Sequence, residues 1–173
     1  MMNIKSFPAL YEQIVRILEP YQAYLVGGAV RDLHLGKPIH DLDFALPGDT
    51  IPAAKLVADQ LGGAFFVLDP ERETARVIIN DENAQRFMVD FTRFQGKDIK
   101  DDLSARDFTI TSMALGLGPD EKVTDLFGGV QDLKDRLLRT TSDRSLADDP
   151  LRCLRAVRLS TQLGLRILPE TKD

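Results

Sequence analysis

The chain has 173 residues, a net charge of −5 and 43% hydrophobic residues, a composition typical of one folded domain with an apolar core. It contains no apolar run near the roughly 18 residues that a membrane helix needs and no secretion signal at its N-terminus. The single cysteine, Cys153, excludes an internal disulfide and predicts a reducing, cytoplasmic location. Since nucleic-acid-binding surfaces are usually basic, the negative charge predicts either weak RNA contact or an RNA-binding surface outside this chain.

In chain order, apolar periodicity and turn residues first predict a mixture of helices and strands. The predicted helices span residues 6–21, 29–35 and 50–61, and Thr50 is the expected cap of the third. The predicted strands span residues 23–26, 41–46, 64–68, 74–80 and 86–94. The last two of these strands are expected to pair as a hairpin across residues 81–83.

The second half of the chain is more helical towards its end. Residues 98–104 are predicted to be helical, residues 108–117 are apolar without an assignable type, and residues 123–127 and 137–140 are predicted strands. A helix is predicted over residues 149–163, with Pro150 in its first turn, and residues 168–173 resemble the start of another. Strands and helices without regular alternation predict an α+β fold.

Three aspartates are candidates for a metal site. Asp41 and Asp43 alternate on one predicted strand, so both side chains point to the same face. Neighbouring carboxylates repel each other unless a cation lies between them, and Mg²⁺ prefers oxygen ligands, including substrate phosphates. Asp90 lies between Val89 and Phe91 on another predicted strand, and all three acids converge if the two strands are neighbours. An isolated Asp-x-Asp is more often a solvated strand edge.

Two glycines and an arginine are candidates for binding phosphate. Gly27 and Gly28 end a predicted strand, and without Cβ atoms their backbone can approach a phosphate closely. The helix that follows presents free N–H groups, and Arg31 lies about one turn into it. Two adjacent glycines alone usually indicate a turn. The order of glycines, arginine, paired aspartates and a later aspartate favours a nucleotide site.

The motifs and their order resemble those of class II tRNA nucleotidyltransferases and bacterial poly(A) polymerases. The resemblance covers nearly the whole chain and includes Gly27-Gly28-Ala29-Val30-Arg31-Asp32, Asp41-Leu42-Asp43, Arg106-Asp107-Phe108-Thr109-Ile110, Asp125-Leu126-Phe127-Gly128-Gly129 and Asp149-Pro150-Leu151-Arg152. It implies a nucleotidyltransferase head similar to that of DNA polymerase beta, with a mixed, mainly antiparallel sheet over residues 1–141. Residues 142–173 would begin a helical neck.

The resemblance also implies a role for each candidate residue. Asp41 and Asp43 would bind catalytic Mg²⁺, assisted by Asp90. Arg106 and Asp107 would contact the sugar and phosphates of the nucleotide, and Asp149 and Arg152 would read its base edge from one face of a helix. Arg155 would reach phosphate or steady Asp149, and Arg158 would complete the nucleotide-binding set.

The implied reaction adds C, A or both from CTP and ATP to the 3′ end of tRNA and releases pyrophosphate. A-adding enzymes, poly(A) polymerases and a nucleotide-binding module that is inactive alone remain alternatives. Residues 69–79 lack the Gly-Arg-Arg or Gly-Arg-Lys signature that often marks bacterial poly(A) polymerases, which favours tRNA. Ala105 stands where the family usually has a first arginine, and Thr111 and Ser112 replace its usual Asn-Ala. Body and tail domains that hold the tRNA are expected outside this chain.

Overall fold

The computed structural model describes residues 7–81, 83–117 and 122–171. Its helices are α1 (Ala9–Ile17), α2 (Gly28–His34), α3 (Thr50–Leu61), α4 (Ile99–Ala105), α5 (Gly129–Lys134), α6 (Ser145–Asp148) and α7 (Leu151–Leu163). Its strands are β1 (Tyr24–Val26), β2 (Asp41–Leu46), β3 (Ala64–Asp69), β4 (Thr74–Asn80), β5 (Arg86–Arg93), β6 (Met113–Gly116), β7 (Val123–Asp125), β8 (Leu137–Leu138) and β9 (Arg166–Ile167). No helix in these ranges is long and apolar enough to cross a membrane.

Seven strands form one mixed sheet in the order β3-β4-β5-β2-β1-β6-β7. Its neighbouring strands are antiparallel except β2 and β5, which run parallel. The predicted hairpin is confirmed as the β4–β5 pair. The predicted neighbourhood of the two aspartate strands is also confirmed, because Asp43 lies directly opposite Asp90.

The two faces of the sheet are covered unequally, and this opens one face for a site. Leu42 and Phe44 of β2 point into the main core, where the Phe44 and Phe91 rings stack with centroids 5.6 Å apart. Asp41 and Asp43 alternate with them and point the other way. On that side a small cluster around Leu103 of α4 covers only part of the sheet. The carboxylates of β2 and β5 therefore lie on its less covered face.

The predicted bounds of the first helix, the predicted start of the last helix and the predicted cap of α3 are wrong. Helix α1 begins at Ala9, because Pro8 is extended, and it ends at Ile17, four residues before the predicted end at Tyr21. Thr50 is the first residue of α3 and not its cap; Asp49 precedes it, and the buried Thr50 hydroxyl has no hydrogen-bond partner among the described residues. Asp149 is also extended, so α7 begins only at Leu151 and a separate short helix, α6, precedes it.

The remaining differences lie in short segments. The unassigned residues 108–117 form a 3₁₀ turn, Thr109–Thr111, followed by β6. The predicted strand at 137–140 is reduced to β8 plus an isolated bridge between Phe108 and Thr140. The last described residues form a 3₁₀ turn, Pro169–Thr171, and the rest of the helix predicted over residues 168–173 lies outside the described residues.

Candidate active site

Two adjoining cavities open on the less covered face of the sheet. The larger, of about 850 Å³, is lined by Asp43, Asp90, Arg106, Asp107, Asp149, Arg152 and Arg155, among others. The smaller, of about 320 Å³, is lined by Gly27, Gly28, Arg31, Asp41 and Arg158 and shares Asp43, Arg106, Asp107 and Arg155 with the larger. Every candidate residue predicted from the sequence therefore lies on one of these two cavities.

The Asp43 carboxylate lies in an electrostatically unfavourable position. Burial, followed by the nearby Asp90 carboxylate, raises the pKa of Asp43 from 3.8 to about 6, although Arg106 opposes the shift. Burial penalises the ionised form because it removes the charge from water, and Asp90 penalises it by like-charge repulsion. A cation bound at Asp43 would relieve this repulsion.

Asp90 has a partner that the sequence reasoning missed. The Arg76 guanidinium donates from Nε to Oδ1 and from Nη2 to Oδ2 of Asp90, each over 2.7 Å. The signal was present in the sequence, because Ala75, Val77 and Ile79 alternate as buried residues of β4 and leave Arg76 on the opposite face. Pairing β4 with β5 then places Arg76 directly opposite Asp90.

The predicted convergence of three acids is only partly present. Asp43 and Asp90 face each other, while Asp41 lies at the exposed start of β2. In the part of the chain that the structure describes, no group of three or more His, Cys, Asp or Glu side chains is arranged to hold a metal ion. The donor set nevertheless fits Mg²⁺, which is commonly bound through one or two carboxylates plus water and substrate phosphates.

Gly27 is required by both its backbone angles and its surroundings. Its φ of 70° and ψ of −133° place it in a region that side chains rarely adopt. A Cβ atom at this position would lie 3.2 Å from Nη1 of Arg106 and 3.4 Å from Oδ2 of Asp43. Beside it, Arg31 pairs with Asp32 through two bonds of 2.9 and 2.8 Å. The absence of a side chain at Gly27 thus keeps the junction of the two cavities open.

Arg106 is held by a buried acid that was not predicted. Its Nε and Nη2 atoms donate to Oδ2 of Asp102, one turn earlier, over 3.0 and 2.9 Å. Asp102 also accepts from the backbone N–H of Gln95 at 3.0 Å. This leaves Nη1 of Arg106 turned towards Gly27 and Asp43. The spacing of four residues was the available signal.

Asp107 is buried and accepts three hydrogen bonds. They come from the backbone N–H of Phe108 (3.0 Å), the Thr111 hydroxyl (2.7 Å) and Nε of Arg155 (2.6 Å). Burial raises the pKa of Asp107, but the hydrogen bonds from Thr111 and Arg155 outweigh it and leave the pKa below its ordinary value. Arg155 thus pairs with Asp107 and not with Asp149, which corrects one expected role.

Asp149 and Arg152 meet on the larger cavity, but not from one face of a helix. Asp149 is extended and its Oδ1 accepts from the N–H of Leu151 at 3.0 Å, so it lies before the first turn of α7. Nε of Arg152 lies 4.0 Å from Oδ2 of Asp149. The two side chains approach each other because of this turn and not because of helical spacing.

The carbonyls of three successive residues accept hydrogen bonds from residues 141–152 and so connect this segment to the part of the chain that contains the large sheet. Arg152 Nη2 donates to Ala105, the Thr141 hydroxyl donates to Arg106, and the Ser145 hydroxyl donates to Asp107. The backbone N–H of Thr141 adds a second bond to the Asp107 carbonyl at 3.1 Å. The segment that contains Ala105 is therefore a connection point as well as part of the cavity wall.

The geometry agrees with what sequence comparison finds. Residues 23–139 match the family described as the poly A polymerase head domain. The chain belongs to this family. Because the match covers more than half of the chain, the fold class predicted from the motifs is confirmed.

Two relatives of this chain are tRNA nucleotidyltransferases by name. A CC-adding tRNA nucleotidyltransferase of Geobacter sulfurreducens is 42% identical over 149 residues, which are 85% of this chain and 33% of the relative. An A-adding tRNA nucleotidyltransferase of Deinococcus radiodurans is 42% identical over 154 residues, which are 89% and 33% of the two chains. The chain thus spans about a third of the length of these curated relatives.

A solved relative has the same arrangement of elements. The structure of a CCA-adding enzyme in complex with ATP superimposes with a TM-score of 0.85 at 29% identity, over 98% of this chain and 42% of that one. The α+β nucleotidyltransferase head is therefore the observed fold. Nucleotidyltransferases of this kind generally use a divalent metal ion.

Thr111 and the Asp125–Gly129 motif have structural roles next to the site. Thr111, at a position where the motif usually differs, donates to both Asp107 and the Phe108 carbonyl. The motif that begins at Asp125 is a scaffold, because Asp125 accepts from the N–H groups of Gly129 and Val130 at the start of α5. Asp132 accepts from the Thr109 hydroxyl at 2.7 Å. These residues hold the wall of the site and do not line either cavity, apart from Thr111.

Proposed function

We propose that this chain is the catalytic head of a template-independent nucleotidyltransferase that adds C, A or both to the 3′ end of tRNA. The observation that carries the proposal is a single cavity of about 850 Å³ on which Asp43 and Asp90 lie together with Arg106, Asp107, Asp149 and Arg152. One cavity is thus lined by acidic groups for a cation, basic groups for phosphates and a polar pair for a base. The CC-adding and A-adding relatives support tRNA as the acceptor.

Asp41 and Asp43 are the proposed ligands of Mg²⁺. The raised pKa of Asp43, caused by burial and by Asp90, marks the position where a cation would be most favourable. When bound, Mg²⁺ activates the attacking hydroxyl and stabilises charge on the leaving phosphate. Asp90, held at both oxygens by Arg76, supplies negative charge at a fixed position beside Asp43.

The remaining candidates position the nucleoside triphosphate. The open backbone at Gly27 and Gly28 admits a phosphate, and Arg31, Arg106, Arg155 and Arg158 place positive charge around it. In the reaction, the 3′-hydroxyl oxygen of the RNA bonds to the α-phosphorus, the bond to the β-phosphate bridge breaks, and pyrophosphate leaves. The hydroxyl proton is lost to water. The contribution of these side chains is orientation and charge neutralisation.

Asp149 and Arg152 are the proposed readers of the base. A carboxylate accepts from an exocyclic amine, and a guanidinium donates to ring nitrogen or carbonyl oxygen. On the Watson–Crick edge, ATP and CTP each present an exocyclic amine beside a ring nitrogen that accepts a hydrogen bond, whereas the corresponding ring nitrogen of GTP and UTP carries a proton, so this pair suits ATP and CTP better. The relatives' additional length supports an RNA-binding surface located mainly outside this chain, and the function of those relatives supports a cytoplasmic site of action.

The first test is calorimetric titration of the chain with ATP, CTP, GTP and UTP, with and without Mg²⁺. We expect Mg²⁺-dependent binding of ATP, CTP or both, and weaker binding of GTP and UTP. Binding of ATP alone would assign an A-adding or polyadenylating enzyme. The absence of any nucleotide binding would contradict the proposal.

Primer-dependent incorporation tests catalysis with matched variants. Asp43→Ala and Asp41→Ala are expected to abolish transfer to a tRNA that lacks its 3′ CCA, whereas Asp59→Ala, on the opposite side of the sheet in α3, is expected to retain it. Full activity of Asp43→Ala would refute the metal assignment. Arg152→Ala is expected to relax base choice more than it slows transfer. A wild-type chain that binds nucleotides but incorporates none would be a binding module.

A further inference from the structure

The Arg152 guanidinium is fixed on one side by the protein itself. Nη1 donates to both the hydroxyl of Ser145 (3.0 Å) and its carbonyl (3.2 Å), and Nη2 donates to the carbonyl of Ala105 (2.9 Å). A guanidinium has five N–H donors, and these bonds use three. The unused donors are on Nε and Nη2, on the edge next to Asp149, whose Oδ2 lies 4.0 Å from Nε.

The Ser145 hydroxyl can interact with Arg152 only as a hydrogen-bond acceptor. Ser145 as a whole residue is 1% exposed, and its Oγ donates its single proton to the Asp107 carbonyl at 2.9 Å. The oxygen is then left with its acceptor capacity alone, which the Arg152 guanidinium uses at 3.0 Å. The hydroxyl therefore links the backbone of the nucleotide-binding segment to the side chain that faces the base.

We propose that Ser145 is a positioning residue that sets nucleotide selectivity by holding the Arg152 guanidinium in one orientation beside Asp149. This inference rests on the proposed role of Arg152 in base recognition. An arginine side chain has many rotamers, and an unrestrained guanidinium can adapt to the acceptors of several bases. Held by Ser145 and Ala105, it offers Nε–H and one Nη2–H in a fixed direction. Selectivity is a difference between affinities, and a fixed donor penalises bases whose acceptors do not match it.

The experiment is calorimetric titration of the 173-residue chain carrying Ser145→Ala with ATP, CTP, GTP and UTP in the presence of Mg²⁺. We expect the ratio of affinities for the preferred over the excluded nucleotides to fall by roughly 10-fold or more, as for the loss of one hydrogen bond to a charged group. Most of the change is expected as tighter binding of the excluded nucleotides. Ser145→Cys, which fills the site with a thiol in place of the hydroxyl and so leaves only a weak hydrogen-bonding group, is expected to act in the same way and carries the test if the alanine variant does not fold.

A double-mutant cycle separates positioning from a general structural effect. In an Arg152→Ala background, Ser145→Ala is expected to leave the residual selectivity unchanged, since its effect passes through Arg152. Thr141→Val is the matched control: it removes a hydroxyl that donates to the neighbouring Arg106 carbonyl without contacting Arg152. We expect this variant to keep the wild-type selectivity.

Three results would overturn the inference: wild-type selectivity in folded Ser145→Ala and Ser145→Cys, an equal loss in Thr141→Val, or a full effect of Ser145→Ala in the Arg152→Ala background. If the wild-type chain binds all four nucleotides equally, the proposed base reader fails and the inference fails with it. If the wild-type chain and Arg152→Ala differ in selectivity but Ser145→Ala does not, the proposed function stands and only the role of Ser145 is rejected.

Discussion

Arg76 and Asp90 form a two-point ion pair across the β4–β5 hairpin, with both donor–acceptor distances at 2.7 Å. Since Asp90 also lies opposite Asp43 on the neighbouring strand, three adjacent strands place a cation and two carboxylates in one row. The Arg76 guanidinium therefore neutralises part of the negative charge of the two carboxylates in the absence of a metal ion or nucleotide. Arg76 therefore belongs to the electrostatic design of the site although it lines neither cavity.

Replacing Arg76 is expected to destabilise the fold as well as the site. Arg76→Met leaves Asp90 facing Asp43 without its partner, and we expect the free energy of unfolding to fall by about 1–2 kcal/mol. A double-mutant cycle with Asp90→Asn, measured by urea denaturation, isolates the coupling between the two side chains. The matched control is the cycle for Arg93 and Glu73, which share one bond of 3.3 Å with more exposed side chains, and whose coupling should be smaller. Equal couplings would contradict a special role for Arg76.

Stability without divalent cations is expected to decrease as the Asp43 carboxyl ionises. The pKa of Asp43 is about 6 in the folded chain, above its ordinary value of 3.8, because of burial and the Asp90 carboxylate. The folded state therefore binds this proton more tightly than the unfolded state. The stabilisation from this bound proton is complete below a pH of about 4 and is lost as the pH rises through about 6. In chelator at pH 7, Asp43→Asn should be more stable than the wild type by about 1–3 kcal/mol.

Urea denaturation at pH 4, 5.5 and 7 measures this effect. Asp41→Asn is the control, because Asp41 lies at the exposed start of the same strand and its replacement should change stability little at any of these pH values. A stability difference between Asp43→Asn and the wild type that does not depend on pH would contradict the assigned cause.

Asp107 should show the opposite pH dependence. Burial raises the pKa of Asp107, but the hydrogen bonds from Thr111 and Arg155 lower this pKa by more than burial raises it, so the net shift is downward. Its contribution to stability is present above the unfolded pKa, near 4, and is lost as the pH falls through the folded pKa. Arg155→Met removes one of the bonds that lower this pKa. We therefore expect its acid unfolding midpoint to move to higher pH.

Acid titration followed by circular dichroism measures this midpoint. Arg158→Met is the matched control, since Arg158 lies one turn later on α7 and has no ion pair among those observed in the described residues. Its acid midpoint should remain close to that of the wild type. A shift of the same size in both variants would show that general loss of positive charge, and not the Asp107 contact, is responsible.

Gly27→Ala is expected to combine backbone strain with obstruction of the site. The substitution should reduce stability by about 1–3 kcal/mol because φ is 70°. The new Cβ, 3.2 Å from Nη1 of Arg106, should also weaken nucleotide binding. Gly36→Ala is the control, with φ of 63° but no atom within 4 Å of its Cβ. The temperature of thermal unfolding should fall in both variants. Nucleotide affinity, measured by calorimetry, should fall only in Gly27→Ala. Unchanged nucleotide affinity in Gly27→Ala would refute the expectation that a Cβ atom at this position obstructs the site.

The elements of the site that could be predicted from the sequence are those with short-range signals. The bounds of β2 and α3 are as predicted, because strict alternation marks Asp41–Leu46 and the Gly62 stop ends Thr50–Leu61. The pairing of β4 with β5 also follows from neighbouring strands joined by a short loop. The family motifs placed every candidate residue on one of the two cavities.

The side-chain partners could not be predicted in the same way, because they depend on contacts between distant parts of the chain. Arg155 contacts Asp107 from 48 residues away, and Arg152 contacts Ala105 from 47 residues away. No local pattern distinguishes these contacts from an ordinary charged helix surface. The extended backbone at Asp149 had a local signal that the prediction of a helix from residue 149 overlooked, because a residue that precedes proline is disfavoured in the helical region.

The three carbonyls at Ala105, Arg106 and Asp107 define how short this protein can be made. A chain that stopped at Arg139, where the match to the family ends, would keep all seven strands of the large sheet. It would lose the donors from Thr141, Ser145 and Arg152, and the Asp107 carboxylate would lose Arg155. At about 1 kcal/mol for each lost hydrogen bond, the deficit is a large share of the stability of a small domain. We therefore expect the smallest independently folding unit of this chain to extend beyond Arg155, past the region that defines its family.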